Sequence, residues 1–336
     1  MAVTIRPATP ADLDAMTALL LQDANQRREI NPSLWRLKPE AGAAIAASLA
    51  STFGADPAAP RQSWLVAEEN GALLGLTHSL LLPVPPTYAG EFGPPGLIME
   101  DSTLAPNAPS GTATALLQAA EADLIAAGAR ILLASSVPGG SWEAPLAARE
   151  YHPLTLYLAK TGLTGAARPE DVRQATADDM SAIVELSAAH RQTLCDIKSV
   201  FWKPHPEADE RFERWMRRSL TLTDRDMFVS ETSGRIDGYA ISQPATPLHF
   251  PSAHDIGGIG IIDDFYHRDF KDIADPAHDY GAASRLISAA ETALAKRGRT
   301  ATLVICPAGW ASKKRFLETI GHSVALVWHI KPGLPG

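Results

Sequence analysis

Cysteine is nearly absent: the 336-residue chain holds two, Cys195 and Cys306. Two distant thiols neither build a disulfide framework nor show the spacing of a zinc site, so a reducing, cytoplasmic setting is expected. No run of about 18 uninterrupted apolar residues occurs, and the opening MAVTIRPATPADL lacks a basic stretch followed by an apolar one. The sequence therefore reads as neither membrane-spanning nor exported by a classical signal. Positive charge is also scarce, with 30 Lys and Arg against 38 Asp and Glu and a net charge of -8. That balance excludes a dedicated binder of phosphate backbones, so no nucleic-acid partner is expected. Core material is ample: 46% of residues are hydrophobic and 20% charged, over about twice the length of a typical domain.

The two halves repeat each other in order. Ile5-Arg6-Pro7-Ala8-Thr9 with Asp12-Leu13 matches Val172-Arg173-Gln174-Ala175-Thr176 with Asp179-Met180, and Trp35-Arg36 with Pro39-Glu40 matches Trp202-Lys203 with Pro206-Glu207. Val66-Ala67-Glu68 with Gly71 and Gly75 matches Val229-Ser230-Glu231 with Gly234 and Gly238. Gly111-Thr112-Ala113, Leu116-Leu117 and Ala119-Ala120-Glu121 match Gly281-Ala282-Ala283, Leu286-Ile287 and Ala289-Ala290-Glu291. The offset drifts by a few residues only, as loop insertions in two copies of one fold would make it. Two domains, 1–165 and 166–336, are expected, joined through a Gly- and Ala-rich linker at 161–171.

Each copy reads strand, helix, helix, three strands, helix, strand, helix, strand. Thr9-Pro10 and Thr176 announce the first helices, whose apolar face in the first copy is Leu13, Met16, Leu19 and Leu20. A glycine hairpin joins Trp64–Ala67 to Leu73–Leu76, and Met227–Val229 to Ile236–Tyr239 in the second copy. Ile131–Ala134 and Thr302–Ile305 are short apolar runs that suit buried central strands.

Chemistry concentrates where a strand, a glycine loop and an amphipathic helix follow one another, twice. Leu97-Ile98-Met99-Glu100-Asp101 leads to Pro109-Ser110-Gly111-Thr112-Ala113, and Ile259–Asp264 leads to His278-Asp279-Tyr280-Gly281-Ala282-Ala283. A glycine loop opening a helix presents unpaired N–H groups beside the positive end of the helix dipole, which suits a pyrophosphate. Together with the opening motif, the hairpin and the closing strand-helix-strand, these segments resemble the GCN5-related N-acetyltransferase family over nearly the whole chain, arranged in tandem. The resemblance implies an α/β (α+β) fold of two acyl-CoA N-acyltransferase domains, each a mixed, mostly antiparallel sheet flanked by helices.

By the same resemblance acetyl-CoA would be the cosubstrate and a small-molecule amine the acceptor, attacked directly without an acyl-enzyme. Gly111, Thr112 and Ala113, and Phe265, His278, Gly281, Ala282, Ala283 and Ser284, would hold the cofactor. A carboxylate on the preceding strand would be the base. The candidates are Glu100 and Asp101 in the first copy and Asp263 and Asp264 in the second, only one of each pair facing the cleft if strand alternation holds. Both copies depart from the family pattern. Pro109 removes an amide donor, Asp279 adds a carboxylate at the loop, and Leu146 and Leu317 stand where the family's acidic tyrosine would be. The second copy is the favoured working site, since no proline directly precedes its glycine and its last strand, Val324–Ile330, is long. The rival expectation is a non-catalytic acyl-CoA-binding or interaction protein; a homodimer is left open.

Two further groups are open to two readings. Trp35, Trp202, Phe212 and Trp215, with Arg211, Arg214, Arg217 and Arg218, read either as a cationic aromatic rim for an acidic acceptor or as core under a solvated arginine face. Asp263, Asp264, His267, Asp269, Asp272, Asp275, His278 and Asp279 crowd one loop without repeated ligand spacing, so no metal is expected. Cys306 ends a central strand and reads as inert packing.

Overall fold

The computed structural model describes residues 3–54, 61–91, 93–165, 171–274 and 280–331. The first copy runs β1 (Thr4–Pro7), α1 (Leu13–Ile30), α2 (Ala41–Phe53), β2 (Gln62–Glu69), β3 (Ala72–Leu81) and β4 (Gly96–Ile98). It continues through β5 (Thr103–Leu104), α3 (Thr112–Ala126), β6 (Leu132–Ser136), α4 (Glu143–Ala148) and β7 (His152–Thr161). The second runs β8 (Val172–Gln174), α5 (Met180–Trp202), α6 (Ala208–Ser219), β9 (Asp226–Thr232), β10 (Arg235–Pro244) and β11 (Ile259–His267). α7 (Gly281–Lys296), β12 (Ala301–Pro307), α8 (Ala311–Thr319) and β13 (Ser323–Lys331) complete it. Apart from the two-residue β5, the order of elements is the one the sequence predicts in both copies. Of the linker at 161–171, residues 166–170 lie outside the described residues.

The repeated opening motif is an ion-pair lock. Arg6 grips both oxygens of Asp12 at 2.8 Å, and the N–H and hydroxyl of Thr9 donate to the same carboxylate. Arg173, Asp179 and Thr176 repeat the arrangement at 2.7 to 3.0 Å. A carboxylate at the third position satisfies the helix start while the arginine ties it to the first strand. The repeated glycines also have separate tasks. Gly71 and Gly234 turn the hairpins at φ +80° and +76°, whereas a Cβ on Gly75 or Gly238 would press into Leu116 or Leu286 of the helix packed on the sheet, at 3.2 and 3.0 Å.

Helices cover both faces of the sheet. Leu65 and Ala67 pack with Leu116, Leu117 and Ala120 of α3, while Trp64 and Val66, pointing the other way, pack with Met16 and Leu20 of α1 and Ile45 and Leu49 of α2. The second copy is built alike: Gly238 faces α7, and the next residue, Tyr239, faces Phe212 of α6.

All strands join one sheet, ordered β1-β2-β3-β4-β6-β13-β7-β12-β11-β10-β9-β8, with β5 paired to β3. The pairs are antiparallel except β4 with β6 and β11 with β12. The centre is an exchange. β13, the last strand of the second copy, pairs with β6 of the first, and β7, the last strand of the first, pairs with β12 of the second. β7 and β13 then pair with each other from Ala159 opposite Ser323 to His152 opposite Ile330. Leu156, Leu158, Val327 and Ile330 are buried there, so neither copy closes its sheet without the other. Expressed separately, residues 1–165 and 166–336 should each lack a cooperative urea transition, and co-expression should restore a single one. A cooperative monomer from either half would contradict the exchange.

Candidate active site

In the second copy β11 carries one residue more than its partner can match. Ile241 stands opposite Asp264 and Ser242 opposite Ile262, leaving Asp263 unpaired in a bulge. A bulge breaks the alternation of faces and re-aims a side chain. As a result Asp263 and Asp264 both line one cavity, correcting the expectation that only one of the pair faces the cleft.

The two carboxylates are held differently. Asp264 Oδ1 accepts from His190 Nδ1 at 3.0 Å and from the Tyr239 hydroxyl at 2.8 Å. Burial pushes its pKa up, but these bonds outweigh burial and hold it below the ordinary value. Burial also lowers the pKa of His190, while the Asp264 carboxylate opposes that, and its Nδ1–H donates to Asp264. Asp263 has only Gln243 Nε2, at 3.3 Å. Asp263 is exposed to solvent at the cavity, and the protein mass around its carboxyl, then the adjacent Asp264 charge, raises its pKa to about 6, with Arg225 opposing.

The cavity, about 450 Å³, is completed by both copies. Ser187, His190, Arg191 and Leu194 of α5 form one wall, Phe212 and Trp215 of α6 another, and Thr155 of the exchanged β7 contributes from the first copy. The segment Pro85–Tyr88, between β3 and β4, closes it as a cover. It is pinned by Ala89 N–H to Lys203 O at 2.7 Å, His205 N–H to Thr87 O at 3.0 Å and Arg211 Nη1 to Pro86 O at 3.0 Å. The aromatic candidates divide. Trp35, Trp202 and Phe212 are buried, whereas Trp215 is 38% exposed at the mouth beside Arg211.

The equivalent region of the first copy is filled. Arg27, at the position of Leu194, is buried against the Trp35 ring at 5.5 Å, bonded to Asp23 Oδ2 at 2.7 Å and to the carbonyl of Glu100. Asp23 itself stands where the second copy has His190. From the second copy, Phe250 and His254 close over Trp35, each ring 5.2 Å away. About 160 Å³ remains, lined by Leu34, Trp35, Val137 and residues 323–325. Glu100 and Asp101 lie in a tight turn between β4 and β5, and they diverge. Asp101 accepts from His78 Nδ1 at 2.9 Å, and the His78 ring is stacked on Trp64. Glu100 is buried with Oε2 unbonded, and desolvation raises its pKa to about 7.

At the glycine loops, Gly111 caps α3 at φ +92°, the Thr112 hydroxyl donates to Pro109 O at 2.8 Å, and Ala113 is buried. α7 begins at Gly281, with Ala282 and Ser284 half-buried and Ala283 buried; His278 and Asp279 lie outside the described residues. The gap between β11 and β12 beyond Ile262 and Val304, where their pairing ends, holds a residue that sequence reasoning missed. Lys313, buried on the first turn of α8, donates from Nζ to Phe265 O at 2.6 Å and lies 5.3 Å from the rings of Phe265 and Trp310. In the first copy Trp142 Nε1 bonds the matching carbonyl, Ser102 O, at 2.7 Å. The side chain of Phe265 is core, packed on Phe270 and Phe316, so only its backbone is available to a ligand. One turn after Lys313, Leu317 is buried, as is Leu146 in the first copy. Burial pushes the Cys306 thiol up to about 12, which makes it unreactive at neutral pH. Among the described residues no group of His, Cys, Asp or Glu stands close enough together to hold a metal ion; His267 is instead paired with Asp237 and Asp269.

No family model matches the chain, and no curated protein matches it. Solved structures do. A tandem GNAT protein from the clavulanic acid biosynthesis pathway is 13% identical, with 100% of each chain covered and a TM-score of 0.49. A GCN5-related N-acetyltransferase from Sphaerobacter thermophilus is 17% identical, with 99% of this chain and 98% of that one covered and a TM-score of 0.54. The likeness to the Sphaerobacter protein runs through both copies, and the chain has the fold of a tandem GCN5-related N-acetyltransferase.

Proposed function

We propose that the chain is an acyl-CoA-dependent N-acyltransferase that moves the acetyl group of acetyl-CoA to the amine of a small molecule, with its working site in the second copy. The observation that carries this is Asp263: a carboxylate that a strand bulge turns into the same cavity as its ionised neighbour Asp264, with its pKa raised to about 6. A base poised near neutral pH can take the proton of an ammonium and still release it. Asp264, fixed by His190 and Tyr239, keeps its charge and holds the ammonium until transfer.

The cosubstrate would approach from the opposite face, where α7 starts. Its first turn is flanked by small side chains; the Ser284 N–H is bonded to Tyr280 O at 2.8 Å, and the amides of Ala282 and Ala283 are the ones that suit a pyrophosphate. The gap between β11 and β12 would bring the thioester to the cavity. When bound, acetyl-CoA supplies an activated acyl group. The chain's residues then manage the protons: Asp263 takes one from the bound ammonium, which frees the lone pair for attack, sheds it to cavity water and takes the second as the C–N bond forms, while Lys313 gives one to the sulfur as the C–S bond breaks and its electron pair leaves with sulfur; one proton in net passes to solvent. A buried lysine with no carboxylate within ion-pair distance among the described residues is costly to keep, and burial lowers its pKa, which eases that donation. The first copy has Trp142 there and a filled cavity, so its role is structural: it supplies the cover and β7.

The pH dependence follows in sign. kcat/KM should rise with pH through an apparent pKa near 6, and Asp263→Asn should remove both the activity and that limb, while Asp101→Asn keeps them. The raised pKa also means that the native state loses stability as pH rises from about 4 to about 6 and carries the full cost of the ionised Asp263 above that. Asp263→Asn should therefore melt above the parent at pH 8, with the difference vanishing near pH 4, where the native carboxyl is protonated. An unchanged melting difference across that range would show that Asp263 is an ordinary surface acid.

For Lys313, Lys313→Met should lower kcat with acetyl-CoA by roughly 100-fold, the usual worth of a positioned acid. An acetyl thioester of an acidic aryl thiol, which leaves without protonation, should be affected little. Equal losses with both donors would make Lys313 merely structural.

A further inference from the structure

The cavity and the surface outside its mouth differ in charge. Asp263, Asp264 and His190 line the cavity, with Tyr88, Trp202 and Phe212 as aromatic walls and Arg191, paired with Asp209, beside them. At the mouth, Arg211 and the exposed Trp215 also belong to an adjoining groove with Arg214 and Arg218. Arg211 is paired with Glu207 at 3.0 Å and Arg217 with Glu213 at 2.7 Å, but Arg214 and Arg218, both exposed, pair with no carboxylate among the described residues. On a chain of net charge -8, whose α6 also carries Asp209, Glu210 and Glu213, the two guanidiniums without a carboxylate partner among the described residues, beside an exposed indole, offer an anion a place at the entrance of the cavity.

We infer that the acceptor is a small amine whose stem ends in an anionic group, with its ammonium on Asp263 and Asp264 and its carboxylate or phosphate at Arg214 and Arg218 beside Trp215. This rests on the acyltransferase reading above and names the substrate class for that site. A cavity of about 450 Å³ admits a metabolite-sized stem and no macromolecule. A plain alkylamine would satisfy the acids and leave the arginines unmatched, and a diamine would set its second cation against them. The aromatic walls between the two charged ends favour an apolar or aromatic stem. Guanidinium forks bind carboxylate and phosphate alike, so the chemistry shared by both defines the class.

The test uses the full chain with acetyl-CoA and follows free thiol release. The probes are phenylalanine, 6-aminohexanoate, 2-aminoethyl phosphate, hexylamine and 1,6-diaminohexane. At least one anionic amine should exceed hexylamine by roughly tenfold in kcat/KM, the worth of one charge-assisted contact, and the diamine should be poorest. The advantage should shrink as salt is raised. The carboxylate and phosphate probes separate the two anion types. In Arg214→Ala/Arg218→Ala, which removes only exposed side chains, KM for the preferred anionic amine should rise roughly tenfold with kcat nearly unchanged. Equal use of hexylamine and the anionic probes overturns the inference, as does a double variant that loses affinity for acetyl-CoA instead, because the arginines would then serve the cosubstrate. No turnover of any probe also overturns it. Calorimetric titration with acetyl-CoA then shows whether the acyltransferase reading falls too: binding keeps that reading, and no binding ends it.

Discussion

Where β7 and β13 lie side by side at the middle of the sheet, each copy has given its last strand to the other. That pairing fixes the relative position of the two halves, because β6 and β12 would otherwise be open edges with unpaired backbone groups. Much of the candidate site depends on it. The exchanged β7 carries Thr155 into the second copy's cavity, and the fixed geometry lets Pro85–Tyr88 reach across to cover it. The reciprocal segment around Phe250 and His254 reaches back over Trp35. Duplication thus yields two crossed covers and two candidate cavities, and a site in either copy is a product of both.

A few side chains then decide which cavity stays open. At matching positions of the first helices the first copy has Asp23 and Arg27 where the second has His190 and Leu194. Arg27 is long enough to cross the interior, reach the carbonyl of Glu100 and lie on Trp35, and its Nη1 is left without a partner. Burying a guanidinium with one donor unsatisfied is costly, and it persists because Asp23, the carbonyl and the indole together hold it. Leu194 makes no such demand, and the space it leaves remains cavity. Trp142 and Lys313 show the same divergence at the strand gap. Both reach the same backbone carbonyl with an N–H, so the fold is preserved, but only the lysine can give up a proton.

What was legible in the sequence is what local chemistry dictates. Arg6 and Asp12, with Arg173 and Asp179, mark the helix starts, and Gly71 and Gly234 mark the hairpins; of the carboxylate pairs, Glu100 and Asp101 follow the end of β4, but Asp263 and Asp264 lie inside β11. Alternation failed at Asp263 because a bulge depends on how two strands pair, and nothing in the residues Ile262 to Phe265 announces a skipped partner. The strand exchange was hidden for the same reason, since β7 and β13 are equally apolar and either would suit either neighbour. Lys313 reads on paper as one of two adjacent lysines on a short polar helix. Its burial appears only when Phe265 O, on a strand distant in sequence, is found to need a donor.

The two carboxylate pairs show why a raised pKa alone does not make a base. Glu100 and Asp263 occupy matching positions, each is pushed upward by desolvation first and by the neighbouring aspartate second, and each reaches the neutral range. Glu100, however, is sealed beneath Arg27, and its proton has no path to a bound molecule. Asp263 meets the interior of a cavity that water enters. A base needs both the shifted equilibrium and an open face toward its acid. The shift comes from the protein mass around the carboxyl in both copies, while the open face comes from the bulge, from Leu194 and from a cover that closes over empty space instead of over a tryptophan.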